Sequence, residues 1–177
     1  MPDPSKYARV EWERRFLLAE FPRGAGLTRV RRIVDRYIDG TTLRLRQAVD
    51  DDGPALFKLT QKLAESGSGA KQGLITSMYL TQNEFAVLTR LPAKMLTKTR
   101  HSIPPFGIDV FEGGLSGLIL AEAEFDSASA ASALTLPSFL LGEVSEDSRF
   151  TGGRLVTASR EELREWLREF GIPLGTP

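Results

Sequence analysis

Like charges recur two residues apart on one segment after another, and this spacing constrains the fold more than any other feature of the chain. In a strand, residues i, i+2 and i+4 share a face. Glu11, Glu13 and Arg15 therefore stand together on Val10–Leu18, with Val10, Trp12, Phe16 and Leu18 on the reverse. Arg44 and Arg46 oppose Leu43 and Leu45, and Lys58, Thr60 and Lys62 oppose Phe57 and Leu59. Lys98 and Arg100 share a face, Asp109 alternates with Ile108 and Val110, and Glu122 and Glu124 oppose Ala121, Ala123 and Phe125. Strands are expected at 10–18, 34–39, 41–48, 54–62, 73–80, 94–102, 106–111 and 118–125. Eight strands of this kind invite closure into a barrel.

Helices are expected where hydroxyl and Glu residues three apart form capping boxes. Thr81 with Glu84 opens one that runs to about Arg90, and Ser159 with Glu162 opens a second with an apolar stripe of Leu163, Trp166, Leu167 and Phe170. The Ala/Ser stretch 126–133 is a third candidate, and 65–73 reads as a hairpin loop. No composition break divides the chain, so 1–177 reads as one domain whose last twenty or so residues form a helix packed on the barrel. The fold class expected is α+β, mainly β: an eight-stranded antiparallel barrel with a charged interior and a few flanking helices.

Composition narrows the chemistry. With no Cys and a single His, His101, there is no disulfide frame, no thiolate nucleophile and no Cys-ligated metal, and a serine-hydrolase triad would need that one imidazole. A metal site must be built from oxygens, which suits magnesium, manganese or calcium. Lys+Arg and Asp+Glu both number 23, so neutral overall charge argues against bulk nucleic-acid binding. The polar start and the lack of a long apolar run give no sign of a secretory signal or a membrane helix, and the expected location is the cytoplasm.

Solvent faces of an antiparallel sheet would explain any one of the charged strands. As a set, however, acids cluster as Glu-x-Glu on two strands and bases cluster on three others. Turned inward, they give a pore with nine bases (Arg15, Arg44, Arg46, Lys58, Lys62, Lys98, Arg100, Arg149 and Arg154) and five acids (Glu11, Glu13, Asp109, Glu122 and Glu124), a surplus of four positive charges. Like charges between low-dielectric walls repel until a ligand compensates them. The bases call for a polyanion with several phosphates, and the five acids for divalent cations, magnesium or manganese. Together they describe metal-assisted phosphoryl transfer.

These residues resemble the CYTH domain, the triphosphate tunnel metalloenzymes. Glu11-x-Glu13-x-Arg15 is similar to the family's Glu-x-Glu-x-Lys signature. Tyr37, Leu43-Arg44-Leu45-Arg46, Phe57-Lys58-Leu59-Thr60-Gln61-Lys62, Lys98-Thr99-Arg100, Asp109-Val110-Phe111, Ala121-Glu122-Ala123-Glu124-Phe125 and Asp147-Ser148-Arg149-Phe150 follow in the family's order, covering about 10–156. The resemblance implies an eight-stranded tunnel, a divalent metal and a triphosphate-bearing substrate. The departures are Arg15, where most members have Lys and where guanidinium cannot serve as a base, and the absence of a Glu from 75–80. A base other than metal-bound hydroxide would then be Tyr37 or a carboxylate such as Glu13.

The expected activity is hydrolysis of inorganic tripolyphosphate to pyrophosphate and phosphate. Arg44, Arg46, Lys58, Lys62, Lys98 and Arg100 would hold the substrate, and a metal-activated water would attack the terminal phosphorus. The alternatives are ATP cyclisation of the class IV adenylate cyclase kind and a non-catalytic polyphosphate or nucleotide-binding module. An apolar-ligand barrel is disfavoured by the charges at Arg44, Lys58 and Glu122. The partner expected is a small-molecule triphosphate, with no nucleic acid or membrane, and a homodimer is adopted only as a prior. His101 is read as structural, Trp12 as packing under a helix such as the one bearing Trp166, and Asp50–Asp52 as a solvated turn.

Overall fold

The computed structural model describes residues 7–24, 26–51, 53–64 and 72–174. The 65–73 loop and Lys71 fall almost entirely outside them. Nine strands run in the order β1 (Arg9–Leu17), β2 (Arg29–Ile38), β3 (Leu43–Asp50), β4 (Leu56–Ala64), β5 (Gln72–Leu80), β6 (Ala93–Ile103), β7 (Phe106–Phe111), β8 (Ile119–Phe125) and β9 (Gly142–Glu143). The helices are α1 (Gln82–Leu88), α2 (Ala128–Ser132), α3 (Gly152–Leu155) and α4 (Arg160–Arg168). The sheet runs β5-β4-β3-β2-β6-β7-β8-β1, and β1 pairs with β5 to close it. All pairings are antiparallel, so the fold is an eight-stranded antiparallel barrel, with β9 added along the far part of β1. Closure leaves β1–β8 without a free edge, which suits short strands with a charged face.

β2 begins five residues before the expected Val34. Arg29 and Arg31 interrupt the apolar pattern there, but both are neutralised by Asp50 at the end of β3, with Arg29 Nε and Arg31 Nε each 2.8 Å from its carboxylate. Asp50 is thus an ion-pair partner in a strand rather than only the start of a solvated turn. Both capping boxes form, at Thr81–Glu84 and Ser159–Glu162.

Two apolar clusters hold the barrel. The outer one joins Phe16, Leu18, Ile103, Phe106, Ile108, Ala121 and Ala123 beneath Leu134, Phe139 and Leu140. The other plugs one end of the bore. Leu17, Phe111 and Leu120, at the last inward positions of their strands, and Leu96, one inward position short of the end of β6, meet Phe150, Leu155, Leu163, Trp166 and Leu167. Full burial of Leu163 and Leu167 contributes roughly 1.5–3 kcal/mol each. The interior is therefore not ionic throughout, because strand parity selects the inward face while the C-terminal segment decides which inward residues meet water. Trp12 points outward opposite Phe125, whereas Trp166 belongs to the plug. His101 stacks edge-on against Phe21, with centroids 4.6 Å apart.

Candidate active site

The barrel encloses a cavity of about 940 Å³. Lining it are Glu11, Glu13 and Arg15 of β1, Tyr37 of β2, Arg44 and Arg46 of β3, Lys58 and Lys62 of β4, Lys98 and Arg100 of β6, and Glu122 and Glu124 of β8. Leu96, Phe111, Phe150 and Leu155 close the plugged end, and Tyr7, Arg9 and Tyr79, all largely exposed, lie toward solvent. Strand alternation thus brings together twelve of the residues singled out by sequence.

The acids form a connected set across β1 and β8, where Glu13 faces Glu124 and Arg15 faces Glu122 in register. Lys62 Nζ bridges Glu11 at 2.9 Å and Glu13 at 2.8 Å. Arg15, only 5% exposed, pairs with Glu13 and lies 3.4 Å from Glu122 through Nε. Glu122 also accepts from Arg100. Burial and Glu122 push the Glu13 carboxyl up, but Arg15 and Lys62 outweigh them and hold it below its usual value. Burial likewise opposes ionisation of Glu122, yet Lys98, Arg100, Arg15 and Lys62 hold it far below the usual carboxylate range. Glu124 behaves oppositely. It has no ion-pair partner among the described residues, and burial followed by repulsion from Glu11 raises its pKa.

The bases lie along β3, β4 and β6. Arg46 faces Lys58 in register, and Arg44 faces Thr60. Lys58 has no ion-pair partner among the described residues, and burial together with Arg46 and Arg44 lowers its pKa. Burial and Asp35 raise the pKa of the Tyr37 hydroxyl against the opposing influence of Arg44 and Arg46.

Three expected site residues are placed elsewhere. Asp109 shares the inward face with Arg100 but is fully buried beneath the longer Lys98 and Arg100 side chains, which take its oxygens, the latter at 2.7 and 2.6 Å, so it does not line the cavity. Arg149 grips Asp147 and Glu169, both at 2.7 Å, and Arg154 pairs with Glu162 and covers Trp166. Both arginines lie in the plug's short helical turns, where strand parity does not apply, and neither turns into the bore.

One residue was missed. Asp35, 1% exposed, accepts Arg46 Nε at 2.6 Å and Nη2 at 2.7 Å, with Arg44 Nε 3.8 Å away. Burial alone would raise its pKa, but Arg46, Arg44 and Lys98 lower it to about 2. A signal was available. A turn centred between Gly40 and Thr41 puts Tyr37 opposite Arg44 and Asp35 opposite Arg46, as the register shows.

The side chains on the acidic side of the bore that could ligate a metal are carboxylates, so their donors are all oxygens. This donor set fits a hard divalent cation. Among the described residues no three acids gather about one point, since Glu11 and Glu13 turn to Lys62 while Glu122 turns to the guanidinium groups.

A closed antiparallel barrel lined on one side by acids and on the other by arginines and lysines defines a charged tunnel. The chain belongs to the CYTH, or triphosphate tunnel, superfamily. It is 34% identical over 148 residues to the inorganic triphosphatase of Nitrosomonas europaea, an alignment spanning 80% of this chain and 93% of that protein. Among solved structures, the inorganic triphosphatase NE1496 matches with a TM-score of 0.54 and 28% identity over 84% of this chain and 95% of the other. A second structure, of the hypothetical protein NE1496, matches with the same TM-score and 29% identity over 84% and 99%. No protein-family model matches the chain. Among the described residues no helix is long and apolar enough to cross a membrane.

Proposed function

We propose that this protein is a triphosphate hydrolase acting on inorganic tripolyphosphate. The observation that carries this reading is the opposition, inside one cavity, of a cationic wall to an acidic wall, on which Lys58 and Glu124 have no ion-pair partner among the described residues. The name of the Nitrosomonas relative supports it.

Arg44, Arg46, Lys58, Lys98 and Arg100 bind the phosphates, the guanidiniums through planar forks and the lysines as point charges. Tyr37 lines the cavity near its plugged end and would donate a hydrogen bond to a phosphate oxygen. Water adds its oxygen to the terminal phosphorus, the bridging P–O bond breaks, and phosphate and pyrophosphate leave, with the water's proton passing to product and solvent. Positioning and charge neutralisation supply most of the rate. Glu11, Glu13 and Glu124 would hold magnesium or manganese, whose charge would neutralise phosphate oxygens and polarise the breaking bond. Lys62, 41% exposed at its side chain, pairs with Glu11 and Glu13 and would turn to phosphate once they take another cation.

The test is a panel of tripolyphosphate, ATP and thiamine triphosphate on one preparation, with phosphate, pyrophosphate and cyclic AMP measured together. Metal-dependent release of phosphate and pyrophosphate in equal amounts from tripolyphosphate is expected. Cyclic AMP from ATP, or tight tripolyphosphate binding without turnover, would overturn the proposal.

A further inference from the structure

Asp35 lies outside the cavity lining, yet it holds one of the cations that line it through two hydrogen bonds. Such an arrangement differs from a surface ion pair. The aspartate is almost wholly removed from water, both of its oxygens are engaged, and β2–β3 register places it directly across from Arg46. It also reaches toward Arg44, whose buried Nε has no hydrogen-bond partner among the described residues. Asp109 repeats the device on β7, beneath Lys98 and Arg100. The cationic wall thus has two levels on one face, with guanidinium and ammonium ends toward the cavity and shorter, buried carboxylates at their base.

We propose that Asp35 is a positioning residue for triphosphate binding, acting through Arg46. It fixes the guanidinium plane before the ligand arrives, so that little side-chain freedom is lost on binding. This inference rests on the triphosphate reading of the tunnel. It makes an expectation opposite to that of charge alone: removing Asp35's negative charge leaves the bore more positive and should tighten polyanion binding, whereas loss of the fork should weaken it.

The experiment measures tripolyphosphate binding by calorimetry in the presence of a chelator, together with KM and kcat under turnover, for the wild type, Asp35→Asn, Arg46→Met and the double variant. Asp35→Asn is expected to weaken binding and raise KM roughly tenfold, the scale of one lost charge-assisted hydrogen bond, with a smaller effect on kcat. In the Arg46→Met background the same change should add nothing. Unchanged or tighter binding by Asp35→Asn, or an equal penalty in both backgrounds, would overturn the inference. Should Asp35→Asn fail to fold, Arg46→Lys decides: it keeps the cation but loses the two-point fork, so its KM should also rise, and an unchanged KM would overturn the inference. Wild-type protein that neither binds nor cleaves tripolyphosphate would instead sink the underlying functional reading, and that result is read without any variant.

Discussion

The Tyr37 hydroxyl lies so close to Gly152 that a Cβ on this glycine would fall 1.9 Å from it. The barrel wall and the plug therefore meet at a point where no side chain fits, with Tyr37 packed against the plug's apolar cluster. Gly152→Ala must displace either the ring or α3, at a cost of about 1–3 kcal/mol and a melting temperature several degrees lower. Combining it with Tyr37→Phe removes the closest clash and should recover part of that loss in a thermal melt. An equal penalty in the two backgrounds would contradict the packing described.

Arg149 and Arg154 belong to the plug's surface network. Their alanine variants are expected to keep KM and kcat for tripolyphosphate near wild-type values, with stability changed by about 0–1 kcal/mol as for exposed ion pairs. Steady-state kinetics checks this, and a large rise in KM would put these side chains back in the bore.

Glu13 and Glu124 face each other in register but should respond oppositely to neutralisation. Glu13→Gln removes the carboxylate that Arg15 and Lys62 share, though each keeps a second acid in Glu122 and Glu11, and should cost about 1–3 kcal/mol. Glu124 has a raised pKa, so its ionised form is disfavoured by the fold and weakens stability once pH exceeds its unfolded value. Glu124→Gln should therefore leave the melting temperature at neutral pH unchanged or raised, while metal-dependent phosphate release falls at least tenfold if it holds the ion, a range usual for disturbed metal sites. Calorimetry and phosphate assays on the two variants distinguish the cases.

Acid should release the Asp35–Arg46 pair. With its pKa lowered to about 2 from an ordinary 3.8, Asp35 contributes stability that is fully present above its unfolded value and is lost as pH falls through the folded one. The contribution is about 2 kcal/mol. Denaturant unfolding of wild type and Asp35→Asn across pH 6 to 2 should show the gap between them closing below about pH 4. A gap that persists undiminished at pH 2 would contradict this role.

Much of the tunnel was legible because alternation is a property of the strand backbone. Once Glu11-x-Glu13-x-Arg15 and Arg44-x-Arg46 lie on strands, their side chains must share faces, and closure turns those faces inward. Asp35 escaped notice because a single acid between Val34 and Arg36 makes no like-charge pair of its own, and its meaning comes only from the residue across the hairpin. Parity could not place Arg149 and Arg154, which lie in short helical turns. Nor could it show that Leu96 and Phe111, inward by the same rule as Lys98 and Asp109, would seal one end, because the plug that covers them comes from distant sequence. Gly107 shows a similar long-range fit: a Cβ there would sit 3.0 Å from the Arg100 side chain, so the bare backbone leaves room for that guanidinium to reach Glu122.

Whether the paired-charge bore cleaves a triphosphate is decided by phosphate release from tripolyphosphate, measured for wild type and an Arg44→Ala/Lys58→Ala variant in magnesium or manganese. Wild-type protein should release phosphate and pyrophosphate in equal amounts, and the folded variant should lose most of that turnover. Undiminished turnover by the variant, or none by a folded wild type with either ion, would contradict cleavage in the bore.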